Sequence, residues 1–300
     1  MPDKIRLSSI EGGGNWWITL NWAAQAFRNA GFEVEVTRRG KEAADTILRV
    51  VRGEADIAVT LGVSAAQAAK GLGIYKDGKA RAVRGLALAL RPGHHFYNMV
   101  RADLGIRSFG DIAKQKPLLN IQVGEADFVA GEITEVYLKY YGIELYRDIA
   151  AWGGSLQTSF PESVPLLVQG KSNAIMRENT ARGPAGFAAQ MAPWVLLPLD
   201  REIAQRIERE YCAPAVTLPP GTVRGQTEPC LTVTDPGYPI VINQDIPNDL
   251  AYRLAKALNE SSAHHWASED IFYSTRHAPD TYAPLHPGAA RYYRELGVLA

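Results

Sequence analysis

Residues 4–38 read KIRLSSIEGGGNWWITLNWAAQAFRNAGFEVEVTR, and this stretch decides the fold. Lys4–Ser8 has the composition of a strand, Trp16–Asn29 has the periodicity of a helix, and Glu33–Arg38 alternates like a second strand. Gly31 lies where the helix has to end, a position that favours glycine. Strand, helix and strand in this order predict a unit that feeds a parallel sheet.

The alternation of strands and helices continues to Arg91 and restarts after Pro92-Gly93, so we expect two α/β lobes. Gly53 and Gly71 mark further helix ends in the first lobe. At ~150 residues per domain, 300 residues leave room for about two lobes. The other predicted strands are Ala55–Thr60, Val83–Leu90, Tyr97–Arg101, Leu119–Val123, Ala174–Met176, Leu231–Thr234 and Pro239–Val241. The other predicted helices are Glu42–Arg52, Ser64–Lys70, one opened by Ser108 and Asp111, Phe128–Tyr141, Pro184–Gln190, Arg201–Tyr211, Asp249–Glu260 and His286–Leu296.

Composition excludes several classes of function. Lysine and arginine together number 32, as do aspartate and glutamate, so the chain lacks the basic surplus that nucleic acid requires. Cys212 and Cys230 have no metal-ligand spacing, so we expect no metal site. They are either a disulfide pair or two unpaired thiols. The sequence has no GxxxxGK[ST] phosphate loop and no convincing pair of nucleophile and base, so we expect neither a cofactor nor a catalytic residue.

The chain has no apolar run near the ~20 residues that cross a bilayer. Its start, Met1–Arg6, lacks the apolar core of an export signal. Two expectations stay open on location. Either the protein is cytoplasmic, or it is periplasmic and this sequence lacks its leader.

Three motifs carry a resemblance to a known family. They are LHPGAARYYRELG at residues 285–297, RGEADIA at 52–58 and GIRSFGDI at 105–112. In these segments and in their order along the chain, the sequence resembles the TAXI family of TRAP-transporter solute receptors. The turn GEADF at 124–128 and the loop RGKE at 39–42 depart from that family's glycine- and serine-containing segments, so we expect a different ligand.

The resemblance implies a fold, a function and partners. The implied fold is the type II periplasmic-binding-protein fold, in which two α/β lobes are joined by crossover strands with the ligand cleft between them. Residues 1–91 and 231–300 would form lobe one, and residues 92–230 would be inserted as lobe two. The implied ligand is a small organic carboxylate or amino acid, and the implied partner is the membrane permease of a TRAP transporter.

In an open α/β sheet, ligands bind beyond the carboxyl ends of the strands, where helix N-termini attract carboxylates. At the end of the first strand, Gly13, Gly14 and Asn15 allow a ligand to approach the backbone, or they form an ordinary turn. Trp16 and Trp17 follow directly. Because adjacent helical side chains diverge, we expect one indole to face the ligand, and we favour Trp16.

The next two turns of lobe one supply further candidates. Arg39 and Lys41 follow the second strand and are either ligand contacts or solvated charges. Thr60, Gly62 and Val63 end the third strand and open a helix, where hydroxyl and amide donors suit the same crevice.

Lobe two supplies the opposing groups. The candidate residues there are His95, Asp127, Phe128, Arg177, Glu178 and Asn179. Arg177 is the main candidate for a charge that reaches across the cleft, and a salt bridge within lobe two is its alternative. His95 lies at the first crossover and is either a ligand contact or a hinge residue. Asp127 would repel an anionic ligand unless a cation pairs with it.

The leading hypothesis is therefore a receptor that closes on its solute by a hinge motion. One rival is a cytosolic enzyme of the same fold, a lyase or decarboxylase that acts on an aromatic acid. The other rival is a ligand sensor that presents its closed form to another protein.

Overall fold

The computed structural model describes residues 4–11, 15–38, 43–91, 93–126, 129–159, 161–179, 183–235, 237–261 and 271–300. The chain folds as two compact units. The first unit comprises residues 1–92 and 236–300, and the second comprises residues 93–235. The chain thus leaves the first unit once and returns to it once.

The strands in chain order are β1 (Lys4–Ser9), β2 (Glu33–Arg38), β3 (Ile57–Val59), β4 (Val83–Leu90), β5 (His95–Arg101), β6 (Asn120–Val123), β7 (Ser155–Gln157), β8 (Ala174–Asn179), β9 (Trp194–Leu196), β10 (Ala215–Leu218), β11 (Cys230–Val233), β12 (Gly237–Asn243) and β13 (Phe272–Tyr273). The α-helices are α1 (Asn15–Asn29), α2 (Ala43–Val51), α3 (Gly62–Lys70), α4 (Phe109–Gln115), α5 (Val129–Tyr140), α6 (Leu145–Ala151), α7 (Ser163–Val168), α8 (Pro184–Met191), α9 (Arg201–Tyr211), α10 (Asn248–Glu260) and α11 (Pro287–Glu295).

The sheet of the first unit has the strand order β13-β4-β12-β3-β1-β2. Strand β1 pairs in parallel with β2 and β3, as the opening stretch predicts. Strand β12, which follows the return of the chain, is antiparallel to both β3 and β4. The sheet is therefore mixed: β12 and β13 run against the other four strands, and the parallel order predicted for the strands of the first ninety residues is confirmed.

The second unit repeats this plan with the strand order β7-β6-β8-β5-β9. Strand β6 pairs in parallel with β7 and β8, whereas β5 is antiparallel to β8 and β9. Here too, the first strand after the chain passes from one unit to the other, β5, is antiparallel to its neighbours. Strands β10 and β11 form a separate two-stranded sheet.

The opening stretch folds as its periodicity requires. In α1 the buried residues include Leu20, Ala23 and Phe27, which lie on one face at helical spacing. This face joins the same hydrophobic cluster as Ile5 and Leu7 of β1. At about 25 cal/mol per Å² of apolar surface removed from water, fully burying one such large side chain stabilises the unit by about 2 kcal/mol.

The predicted helix ends are confirmed. Gly31, Gly53 and Gly71 adopt φ angles of +89°, +69° and +67°, which place them in the left-handed region that glycine enters at least cost. Ser108 and Asp111 form a complete capping box at the start of α4. These local signals depend on residues within a few positions, so the sequence alone reveals them.

Six elements were missed by the sequence analysis. They are α6, β7, α7, β9, β10 and β13, each two to seven residues long. Segments this short contain too few residues for a period to show, and pairing with a neighbouring strand or helix stabilises them instead.

The return of the chain also differs from the sequence boundary. The second unit continues to residue 235, whereas the sequence analysis placed the boundary between 230 and 231. Strand β11 holds this segment in the second unit because it pairs with β10, and because Thr232 Oγ1 donates a hydrogen bond to Phe96 O over 2.6 Å.

Cys212 and Cys230 are buried free thiols, so the alternative of two unpaired cysteines holds in the structure. Burial raises the pKa of the Cys230 thiol to about 11. None of the helices in the described part of the chain has both the length and the apolar character that a bilayer crossing requires.

Candidate functional site

The candidate groups of the first unit lie at one edge of its sheet, which we call the first-unit edge. It is the edge where β1, β2, β3 and β4 have their carboxyl ends. Because β12 runs in the opposite direction, its first residues reach the same edge, where Gly237 pairs with Leu90 and Tyr238 pairs with Ala89. This edge therefore combines strand ends, the start of α1 and the start of β12.

An aromatic pair and an arginine form the centre of this edge. The ring centroids of Trp16 and Tyr238 are 5.2 Å apart. Arg91 Nη1 donates a hydrogen bond to Tyr238 Oη over 2.8 Å, and the guanidinium carbon lies 5.3 Å from the Tyr238 ring centroid. The arrangement places a cation beside an apolar aromatic surface, which suits a ligand with an apolar body and an anionic group.

A second arginine and indole lie beside this cluster. The guanidinium carbon of Arg38 is 4.3 Å from the centroid of Trp17, and Arg38 Nη2 donates to Glu11 O over 2.5 Å. Trp17 thus packs against Arg38, whereas Trp16 packs against Tyr238. The two adjacent indoles point to different neighbours, as helical geometry requires.

Several predicted residues of the first unit have defined positions. Asn15 begins α1, and its carbonyl accepts a hydrogen bond from Thr19 Oγ1 over 2.9 Å. Thr60 is fully buried, and its hydroxyl donates to Ala43 O over 3.2 Å. Gly62 and Val63 form the buried first turn of α3. Gly13, Gly14, Arg39 and Lys41 lie outside the described residues.

The candidate groups of the second unit lie at the corresponding edge of its own sheet, the second-unit edge. Strands β6, β7 and β8 have their carboxyl ends there, and the antiparallel β5 begins there. In the register of β5 and β8, His95 pairs with Asn179 and Tyr97 pairs with Arg177. The sheet thereby brings His95, Arg177 and Asn179, which the sequence analysis named, onto neighbouring strands.

Two hydrogen bonds and one ion pair join Arg177 to other residues of the second unit. Its Nη1 donates to Val123 O over 3.4 Å and to Thr158 O over 3.3 Å. Its Nη2 lies 3.5 Å from Glu178 Oε1, with side chains that are only 9% and 19% exposed. The intra-unit salt bridge that the sequence analysis kept as an alternative is therefore present. A ligand contact by Arg177 stays a prediction.

Glu178 has one oxygen in an unusual position. While Oε1 faces Arg177, the buried Oε2 has no hydrogen-bond partner among the described residues. An unpartnered carboxylate oxygen away from water is costly, so a ligand donor or an ordered water at this atom would stabilise the unit.

His95 is held by a short chain of hydrogen bonds. Its Nδ1 lies 3.0 Å from Thr234 Oγ1, and the Thr234 hydroxyl donates to His94 O over 2.7 Å. Burial lowers the pKa of His95 to about 4, so the ring is neutral at physiological pH.

The turn between β6 and α5 contains Asp127 and Phe128, which lie outside the described residues. Gly124 precedes these residues and Gly131 lies in the first turn of α5, and neither glycine has room for a side chain. A Cβ atom on Gly131 would meet Glu125 O at 2.0 Å, and one on Gly124 would meet Gly131 N at 2.6 Å. The backbone of this turn therefore approaches the start of α5 more closely than any other residue type permits.

Sequence reasoning missed Arg91 and Tyr238. Arg91 directly follows β4, so the rule that places ligands at strand carboxyl ends would have found it. Tyr238 had no such signal, because it lies at the beginning of a strand and reaches the edge only through the antiparallel direction of β12. Within the described ranges, no cluster of three histidine, cysteine, aspartate or glutamate residues is arranged to hold a metal ion.

Each α/β unit has a mixed sheet in which one strand, β12 or β5, lies between two strands of the opposite direction. This arrangement is the type II periplasmic-binding-protein fold, and solved structures confirm this prediction. PhnD1 from Prochlorococcus marinus MIT 9301, solved in complex with methylphosphonate, aligns over 100% of both chains at 12% identity and a TM-score of 0.51. The periplasmic binding protein BugD aligns over 98% of this chain and 94% of its own at 11% identity and a TM-score of 0.53. At these identities the likeness shows the fold.

The family of the chain follows from its sequence. The NMT1-like family matches residues 17–297, and the chain belongs to that family. No curated protein matches the chain.

Proposed function

We propose that this protein is a solute-binding receptor of a TAXI-type TRAP uptake transporter, which captures a small organic carboxylate or amino acid in the periplasm and delivers it to a membrane permease. The observation that carries the proposal is the cluster of Trp16, Tyr238 and Arg91 at the first-unit edge. The type II fold and the resemblance of three motifs to the TAXI family support it.

The chemistry of the cluster favours a carboxylate. Arg91 holds Tyr238 through one of its N–H groups, and the forked donors of a guanidinium match the two oxygens of a carboxylate. The indole of Trp16 and the ring of Tyr238 offer an apolar surface for the body of the ligand. The partly desolvated surroundings strengthen the attraction between the cation and the anion.

Closure of the two units on the solute completes the proposal. In this mechanism the bound solute is contacted by groups of both edges only in the closed form, so binding shifts the population toward that form. The rotation would fall where the chain passes between the units, after β4 and before β12.

The described residues give little support to the rival enzyme. The Cys230 thiol is buried and its pKa is raised, which suppresses the reactive thiolate. His94 Nδ1 is hydrogen-bonded to the backbone carbonyl of Asp235. His95 Nδ1 is hydrogen-bonded to the Thr234 hydroxyl, whose hydrogen is directed to His94 O and not to the ring, so His95 is not placed to take a proton from that hydroxyl.

Thermal unfolding with a panel of aliphatic and aromatic carboxylates and amino acids tests the proposal. A ligand that binds only the native state raises its stability by about 2.7 kcal/mol at a hundredfold excess over Kd, which is readily seen as a higher melting temperature. The variant Arg91→Gln should lose this response. Arg291→Gln is the matched control, because Arg291 also stacks on a tyrosine of the first unit, Tyr252, at 4.4 Å.

If no acid or amino acid raises the melting temperature of the wild-type protein, the receptor proposal is wrong. If acids bind equally well to the wild type and to Arg91→Gln, the receptor proposal stands but the assigned cluster is wrong.

A further inference from the structure

The hydrogen bonds around His95 fix its tautomer. The Thr234 hydroxyl has one hydrogen, and its oxygen lies 2.7 Å from His94 O and 3.0 Å from His95 Nδ1. A carbonyl oxygen only accepts, so at 2.7 Å the hydroxyl hydrogen must lie between Thr234 and His94 O. The hydroxyl therefore accepts at His95, which means that His95 Nδ1 carries the ring proton.

The other ring nitrogen is consequently an acceptor. A neutral imidazole has one N–H and one lone pair, so a proton on Nδ1 leaves the lone pair on Nε2. Burial keeps the ring neutral, since it lowers the pKa of His95 to about 4. The ring is half-buried at the start of β5, and no group in the described part of the chain hydrogen-bonds to Nε2.

The position of His95 places this acceptor at the second-unit edge. His95 pairs with Asn179, the last residue of β8, so it lies where the parallel strands end. Desolvation is the cause of its lowered pKa, with no neighbouring charge among the causes. The local environment therefore presents a fixed, uncharged acceptor that cannot reverse its polarity to suit an anion.

We propose that His95 Nε2 accepts a hydrogen bond from the bound solute, and that the receptor thereby selects acids that also carry an O–H or N–H donor, such as hydroxy acids and amino acids. This inference rests on the proposed receptor function and narrows its substrate class. If a solute turned a carboxylate toward Nε2, the lone pairs of the carboxylate oxygen and of Nε2 would repel each other. A solute without a donor would leave a partly desolvated acceptor unpaired, which lowers its affinity.

Matched pairs of probes test the selection. We expect lactate to bind better than propionate, and 3-phenyllactate and phenylalanine better than 3-phenylpropionate, by about tenfold or more in Kd for the pair whose size fits the site. In His95→Phe this preference should vanish. His95→Leu, which likewise removes the acceptor, serves as a second variant if the phenylalanine variant folds poorly.

A second pair of variants tests the tautomer independently of any ligand. In NMR spectra of isotopically labelled histidine, Nδ1 of His95 should be protonated and Nε2 unprotonated in the wild type. Thr234→Val removes the accepting hydroxyl and should shift the ring toward the other tautomer. Thr232→Val is the matched control, because that hydroxyl on the same segment donates to Phe96 O instead.

The outcomes separate the two proposals. If no probe of any kind binds, the receptor function fails, and the selection fails with it. If acids bind with no preference for a donor, or if the NMR spectra show a proton on Nε2, the role of His95 is wrong while the receptor function stands. Donor preference that disappears in the His95 variants and in Thr234→Val supports the assignment.

Discussion

Arg91 Nη1 donates a hydrogen bond to Tyr238 Oη over 2.8 Å, although 147 positions separate the two residues in the chain. Arg91 is close to the point where the chain leaves the first unit, and Tyr238 is close to the point where it returns. The antiparallel pairing of β4 and β12 brings the two together, since Tyr238 pairs with Ala89. Both residues therefore lie at the first-unit edge, although the whole second unit separates them in the sequence.

Tyr238→Phe should separate the two roles of this tyrosine. The ring and its contact with Trp16 remain, but Arg91 loses a hydrogen-bond acceptor. We expect the free energy of unfolding to fall by about 1–2 kcal/mol, which chemical denaturation measures. Tyr252→Phe, which removes a hydroxyl bonded to Glu295 at the surface, should change stability by less than half as much.

The two adjacent indoles should differ in their effect on binding. Trp16→Leu removes the aromatic partner of Tyr238, so the affinity for a responsive acid should fall by about tenfold. Trp17→Leu removes the partner of Arg38 and should leave that affinity within about twofold. Titration calorimetry measures both. Equal losses in the two variants would contradict the assignment of Trp16 as the ligand-facing indole.

Arg177→Met should destabilise the second unit. The substitution leaves the Glu178 carboxylate largely buried without its cation, and breaking such a pair costs about 3–5 kcal/mol. The double variant Arg177→Met with Glu178→Gln should recover much of the loss, because no unpaired charge is then left behind. A double variant as unstable as Arg177→Met would show that the ion pair is not the cause.

The stability of the protein should fall as the pH is lowered from 6.5 to about 4. An unfolded histidine takes up a proton near its ordinary pKa of 6.5, whereas folded His95 does so only at about 4, so the unfolded state binds more protons in this window. At about 1.4 kcal/mol per pH unit, His95 contributes at most about 3.5 kcal/mol to this loss.

Denaturation curves at several pH values check this contribution. Burial also lowers the pKa of His286, so the wild type loses stability from more than one group. The informative comparison is with His95→Phe, whose stability should depend less steeply on pH over the same window. An unchanged slope would mean that His95 titrates normally in the folded protein.

Gly131→Ala should distort the turn before α5. The added Cβ would lie 2.0 Å from Glu125 O, so the backbone must shift, and we expect a loss of about 1–3 kcal/mol. Gly110→Ala is the control in the same unit, since its Cβ would meet only Ser108 Oγ at 3.6 Å. If both variants are equally stable, the turn adapts without cost.

Local patterns in the sequence determined the fold class and many of its elements. The bounds of β2, β4 and α9 agree with the predicted ranges, because each has a full run of periodic residues. The left-handed glycine at the end of α3 and the capping box of α4 follow from residues a few positions apart. The short strands β7 and β9 were not predicted, because three residues are too few to show a periodicity.

Only the tertiary structure determines which residues lie together at the two sheet edges. The contact of Arg91 with Tyr238 needs a strand that runs against its neighbours, and the tautomer of His95 needs Thr234 to approach from a segment 139 positions away. Periodicity reports which face of an element is buried, but it carries no information on which distant strand pairs with it or in which direction. The chemistry of a ligand site depends on those long-range pairings, and therefore only the folded chain reveals it.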